Sequence, residues 1–206
     1  LSLIPACAPS DFEDELAGET AEDEAQDGKA DGAADGVYTY FSIRGDTRKC
    51  ASPFCGGHFL ERVNRTSTVC HDGKGAASCY TPELDWSESG LSQETQYQLT
   101  GAAAQGAFES AGVTALVRGR FAKLGTGKVG AELGRFIVTE AWVAETDAVA
   151  DGVFVKVRDN GIRCIAAPCS STTEKGLNTS RSAMIAGIDF AGANLTEAQL
   201  EAFGLA

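Results

Sequence analysis

Tyr40-Phe41-Ser42-Ile43-Arg44, followed by Cys50, Cys55 and Asn64, lies over Phe154-Val155-Lys156-Val157-Arg158, followed by Cys164, Cys169 and Asn178, at a constant offset of 114 residues. The arginine, both cysteines and the asparagine match, and apolar positions meet apolar ones. A second block continues the correspondence. Leu84-Asp85-Trp86 and Gly90-Leu91-Ser92 lie over Ile188-Asp189-Phe190 and Asn194-Leu195-Thr196 at a constant offset of 104. The ten-residue difference places an insertion in the first copy, in the region of Cys70 and Cys79. Two ordered blocks at consistent offsets indicate an internal repeat. The chain is therefore read as two related units, residues 37–145 and 150–206.

Each unit has a local reading. Residues 37–44 and 153–158 are rich in β-branched and aromatic side chains, which predicts strands. A turn follows each, then a C-x4-C clip, and residues 57–64 predict a returning strand. Ser92 and Thr196 are good helix N-caps, each preceded by a leucine, and Thr196 to Gln199 has capping-box spacing. Helices are expected from 93 to about 110 and from 197 to 203. The first unit then continues into two apolar runs, 113–124 and 134–143, joined by the Gly-rich segment 125–130, a hairpin signal. The second unit shows no such continuation before Ala206. Three readings stay open: the hairpin serves both units, the chain is truncated, or a partner supplies the missing strands. The expected fold is α+β and mainly β, with two disulfide-clipped strand–loop–helix units sharing an antiparallel sheet and hairpin.

The formal net charge is −12, and its distribution is uneven. Residues 8–36 hold eleven acids against the single base Lys29, a net of −10, so the remainder of the chain is close to neutral. This composition predicts an acidic disordered tether. A nucleic-acid partner needs a basic stripe, and the charge count offers none.

Seven cysteines divide into three close pairs, Cys50/Cys55, Cys70/Cys79 and Cys164/Cys169, with Cys7 alone in Leu3-Ile4-Pro5-Ala6-Cys7. That stretch has the make-up of a bacterial lipobox, with Pro5 as the departure. Residues 1–7 are accordingly read as the remnant of a signal peptide and lipobox, with Cys7 the lipid anchor and only contact with the membrane. The other six cysteines form an even set that suits an oxidising compartment. Zinc is the rival reading. Only His58 and His71 accompany the cysteines, and the five-position spacing is wider than zinc motifs favour. Disulfides are expected and no metal, with pairing within or across the two copies left open.

Catalytic signatures are missing from the sequence. Gly125 to Gly130 matches G-x-G-x-x-G, but β-type residues flank it on both sides, so a hairpin turn fits better than a dinucleotide loop. There is no G-x-S-x-G and no H-E-x-x-H. His58 and His71 are read as structural, and Asp85 and Asp189 as acceptors for backbone donors. No catalytic residue and no cofactor is assigned. Arg44/Arg158 and Asn64/Asn178 recur at strand ends, which favours a role in pinning each unit over a repeated binding surface. Arg44 and Arg158 remain weak binding candidates. Pro53, Phe54 and Pro168 join them because clipped loops present Ser52-Pro53-Phe54 and Ala166-Ala167-Pro168 in fixed form.

The lipobox-like leader, the acidic tether, the entry into C-x4-C and the segment Asp159-Asn160-Gly161-Ile162-Arg163-Cys164 resemble a family of uncharacterised bacterial lipoproteins that carry a duplicated C-x4-C domain of unknown function. The resemblance covers residues 37–206, and it implies surface location and duplicated architecture without implying an activity. The functional expectation is a non-catalytic, membrane-anchored lipoprotein of the bacterial envelope that acts as a binding or scaffolding module. Its partner is expected to be another envelope or extracellular protein, with a strand-completing partner or self-association as specific forms. The alternatives are a protease inhibitor presenting its clipped loops and an envelope enzyme whose site the sequence does not reveal.

Overall fold

The computed structural model describes residues 39–107, 112–124, 129–146, 148, 150 and 152–202. The expected lipid anchor Cys7, the acidic tether 8–36 and most of the Gly-rich segment 125–130 lie outside the described residues. Strands predominate, as the sequence predicts: β1 (Thr39–Gly45), β2 (His58–Arg62), β3 (Thr68–Val69), β4 (Gly75–Ala76), β5 (Cys79–Thr81), β6 (Leu84–Asp85), β7 (Ala115–Ala122), β8 (Arg135–Val143), β9 (Val155–Asp159), β10 (Thr172–Gly176) and β11 (Ser182–Ile185). Among the described residues the α-helices are α1 (Gln93–Gln105) and α2 (Glu197–Ala202).

Among the described residues the strands divide among three sheets rather than lying in one shared sheet. The largest has the order β5-β2-β1-β7-β8-β6, the second has β11-β10-β9, and β3-β4 form a small ribbon. The expected hairpin β7–β8 pairs with β1, Val117 lying opposite Phe41, so it serves the first unit alone. The large sheet is also mixed, because β6 joins β8 in parallel. That pairing was not legible in Leu84-Asp85, a two-residue strand whose partner residues Phe136 and Ile137 lie 52 positions downstream.

Alternation decides which face of the large sheet is buried. Phe41 and Ile43 on β1, Leu60 on β2, Ala115 and Val117 on β7, and Phe136 and Val138 on β8 form the core with Leu99 and Ala103 of α1. Leu99 and Ala103 stand four positions apart, so one stripe of the helix meets the sheet. Phe41, Phe121 and Phe136 pack edge to face, with ring centroids 5.0–5.8 Å apart. Helix α1 begins where predicted, since the Thr95 amide donates to Ser92 Oγ at the N-cap.

The hairpins of the two units match residue for residue. Phe41 pairs with Arg62 and Gly45 with His58; Val155 pairs with Gly176 and Asp159 with Thr172. Both pairs of pairs differ by 114. The closing bonds repeat too: the Asp46 amide donates to Gly57 O at 2.9 Å, and that of Asn160 donates to Ser171 O at 2.9 Å. The next strand pairs across the offset of 104, with Phe59 opposite Tyr80 and Thr173 opposite Met184. Beyond it, Asp85 accepts from the Ser87 amide and Asp189 from that of Ala191, so both aspartates satisfy backbone donors. Gly90 and Asn194 both have positive φ, and Ser92 and Thr196 each cap the helix that follows.

Each disulfide closes within its own unit: Cys50–Cys55, Cys70–Cys79 and Cys164–Cys169. The first and third staple the hairpin loops. The second ties the inserted β3–β4 ribbon to β5, where the Cys79 side chain is buried. Closing a loop of nine positions removes unfolded-state entropy worth about 2–3 kcal/mol. A Cys70→Ala/Cys79→Ala variant is expected to lose about that much in denaturant unfolding, and an unchanged midpoint would show the ribbon to be dispensable.

Candidate functional site

The contact between the two units is built from two asparagines in the left-handed backbone region, Asn64 (φ 61°) and Asn178 (φ 57°). Each follows the second strand of its hairpin, and each side chain reaches the other unit. Asn178 accepts from the Tyr40 amide at 2.8 Å and donates to Tyr40 O at 2.7 Å and Val63 O at 2.9 Å. Asn64 accepts from the Phe154 amide at 2.8 Å and donates to Phe154 O at 2.7 Å and Leu177 O at 2.8 Å. Tyr40 and Phe154 are matched positions at the offset of 114, as are Val63 and Leu177. The clasp is therefore reciprocal, each carboxamide acting as a short piece of strand edge for the other unit's backbone. Arg65 Nε adds a bond to Asn178 O at 2.9 Å. The recurrence of the asparagines pointed to a structural role, but the sequence did not show that they bind across units. Side-chain reach depends on where the two hairpins dock, which no local spacing encodes.

Among the described residues neither Arg44 nor Arg158 has a hydrogen bond that would pin its unit. Arg44 is exposed on the outer face of β1, its guanidinium 4.8 Å from the Phe59 ring centroid. Arg48 lies over the same ring at 5.0 Å and over Tyr80 at 4.9 Å, and it forms a fork with Asp46. That guanidinium holds the Asp46 carboxyl below the usual carboxylate range. Arg158 is exposed on β9, and among the described residues no aromatic ring lies under it.

The clipped loops differ in how firmly they are held. In the first, Tyr80 Oη donates to Pro53 O at 2.7 Å and Arg48 donates to Phe54 O at 3.0 Å, while the Phe54 side chain stays exposed. In the second, residues 161–168, Pro168 among them, are exposed throughout, with Ile165 fully so. Asp159 and Asn160 secure its base. Arg163 forms an ion pair with Asp159 at 2.6 Å, which pulls the Asp159 carboxyl down to about 2, and Asn160 donates to Ser170 O. The structure does not bring Arg44, Pro53 and Phe54 together with Arg158 and Pro168 into one site.

His58 and His71 are apart from any carboxylate cluster, and among the described residues no group of three or more His, Cys, Asp or Glu is placed to hold a metal. His58 is largely enclosed at the start of β2, its Nδ1 has no hydrogen-bond partner among the described residues, and burial lowers its pKa below the ordinary 6.5. The unfolded chain takes up this proton first as pH falls, so the folded state loses stability below about pH 6.5. Unfolding free energy is expected to drop as pH falls through the ordinary histidine value of about 6.5, and His58→Gln should flatten that slope. An unchanged slope in the variant would assign the acid sensitivity to other groups.

The units differ most at their outer edges. The far edge of β1 is covered by β7, and Phe41 and Ile43 are 3% exposed. Their matched positions Val155 and Val157 are 38% and 40% exposed, every residue of β9 is exposed, and among the described residues no strand pairs with the far edge of β9. The counterpart of α1 is six residues long and buries none of them. Lys156 and Arg158 on β9, with Lys175 on β10, share the opposite face of this sheet, and among the described residues none of them has an ion-pair partner.

Three disulfides mark the domain as one formed in an oxidising compartment outside the cytoplasm. Among the described residues no helix is long and apolar enough to cross a membrane. A family model described as a domain of unknown function (DUF6748) matches residues 39–204. No curated protein and no solved structure matches the chain.

Proposed function

The chain belongs to that family, and on this premise we propose that it is a non-catalytic binding or scaffolding module of the bacterial envelope, held to the membrane by a lipid on Cys7. In this reading its two units arose by duplication, and they have since diverged in role. The first is a complete scaffold with a closed core. The second, fixed to it by the asparagine clasp, presents the working surface.

The observation that carries the reading is the unequal fate of matched strands. β1 is covered on its far edge and its core face, while β9 exposes both Val155 and Val157. Exposed β-branched residues beside an unpaired strand edge form a surface that natural proteins usually cover or blunt. The partner is an envelope or extracellular protein.

A photo-crosslinking residue at Val157 in the full-length protein on intact cells tests this. The reading expects a discrete adduct from Val157 and none from a control at exposed Lys49. Identical labelling from both positions, or none from either, would remove the support for a binding surface.

The fully exposed Ile165 favours a second reading, in which the clipped loop 164–169 inserts into a protease cleft. Tight inhibition of an elastase-like protease, lost in Ile165→Asp, would support it over the first.

A further inference from the structure

We infer that the open edge of β9 accepts an extended strand from a partner protein, running antiparallel as β7 does on β1, and that this strand alternates β-branched apolar residues with Asp or Glu. The inference rests on the reading of the second unit as the binding surface and specifies the chemistry of what it binds.

The first unit supplies the template. β7 lies on β1 with Gly119 opposite Thr39, Arg118 opposite Tyr40, Val117 opposite Phe41 and Leu116 opposite Ser42. The offset of 114 carries this docking onto Val153, Phe154, Val155 and Lys156. Backbone polarity there is ready for it. The Leu177 amide donates to Phe154 O and that of Asn160 donates to Ser171 O, so the even-numbered residues of β9 exchange bonds with β10. By antiparallel alternation, Val155, Val157 and Asp159 point their amides and carbonyls toward the open edge.

Side chains then select the strand. Val155 and Val157 lie on the face that is core in the first unit, so partner residues opposite them are apolar and extend that face. Lys156 and Arg158 point to the other face, with Lys175 directly opposite Lys156 across the sheet. Among the described residues no carboxylate forms an ion pair with them. Partner residues opposite Lys156 and Arg158 are therefore acidic, because opposite charges directly across a ladder stabilise it and like charges oppose it. The same rule disfavours a second copy of β9. Any antiparallel register centred on residues 156–158 that keeps the valines on one face sets Lys156 or Arg158 against a like charge. Cations also discourage unwanted edge pairing. Here they sit on the outer face, away from Val155 and Val157, whose own face carries Glu174 opposite Val157, so partners are filtered by charge without closing the edge.

The test uses the full chain and two synthetic peptides, Thr-Val-Glu-Val-Glu-Val-Thr and its twin with Lys in place of Glu, at millimolar concentration. The acidic peptide is expected to slow amide exchange at Val155 and Val157 roughly tenfold or more while leaving Phe41 and Ile43 unchanged. The lysine twin should give no protection, and Lys156→Glu/Arg158→Glu should invert the preference. Equal protection by both peptides, or none by the acidic one, would overturn the inference. If none appears yet Val157 still crosslinks on cells, the binding surface stands and the strand chemistry falls. If crosslinking fails as well, both fall.

Discussion

Replacing Asn64 and Asn178 with Ala in one molecule is expected to loosen the two units from each other and to cost far more than any surface substitution. Each asparagine makes three hydrogen bonds to backbone of the other unit, at 2.7–2.9 Å. A net contribution of about 1 kcal/mol per bond gives roughly 3 kcal/mol for each residue. Alanine adds the penalty of a left-handed backbone, about 1 kcal/mol or more, which asparagine tolerates well. The total per site is then roughly 4 kcal/mol, against a whole-domain stability of the order of 5–15 kcal/mol. Two single variants separate the terms. Asn64→Gly keeps the backbone free to adopt φ 61° and loses only the carboxamide, so it should be milder than Asn64→Ala. Asn64→Asp retains the acceptor for the Phe154 amide but turns a carboxylate oxygen toward Phe154 O and Leu177 O, so it should be worse than Gly. Denaturant unfolding checks the order. An Asn64→Gly variant that unfolds at the unchanged midpoint would mean that the carboxamide bonds contribute nothing.

The second large effect is expected at Gly119, where a β-bulge interrupts the pairing of β7 with β8. A Cβ built there would lie 2.1 Å from Ile137 O and 2.6 Å from the Phe136 ring. Both neighbours are buried, one is backbone, and Phe136 packs against Phe41 and Phe121, so neither can retreat without reopening the core. Gly119→Ala is therefore expected to cost roughly 3 kcal/mol, at the upper end for overpacking, and Gly119→Val more. Thermal unfolding and the near-ultraviolet signal of the aromatic core should report it together. A Gly119→Ala variant with an unshifted midpoint would show that the close approach relaxes at no cost.

Much of this architecture is written in short-range pattern. The β-branched runs, the C-x4-C loops, the Ser92 and Thr196 caps and the Gly-rich hairpin signal each depend on neighbours within a few residues, and local chemistry places them well. The offsets of 114 and 104 extend to strand register and turn bonds because matched sequences meet matched backbone demands. What the sequence hides is what the units do to each other and to their surroundings. Asn64 and Asn178 look like ordinary turn residues until the docking brings them onto Tyr40 and Phe154. The division into separate sheets depends on which strand β7 meets, and two similar edges, β1 and β9, compete for it. Phe41 and Ile43 are bulkier than Val155 and Val157, and Leu60 is matched by Glu174, so the first unit offers the better apolar face. The candidate surface was missed for that reason. Val155-Lys156-Val157-Arg158 reads as an ordinary half-buried strand, and only the fold shows that its inner face has no cover.

Residue-resolved amide exchange of the free protein tests the central claim, that matched strands of the two units have opposite fates. The account predicts that the Phe41 amide, paired to β7, and that of Ile43, buried on the same strand, exchange only through large-scale unfolding, while those of Val155 and Val157 exchange through small local openings, faster by orders of magnitude. Equal protection at the four amides would mean that the edge of β9 is already covered in the free protein, and the second unit would then have no open surface to offer.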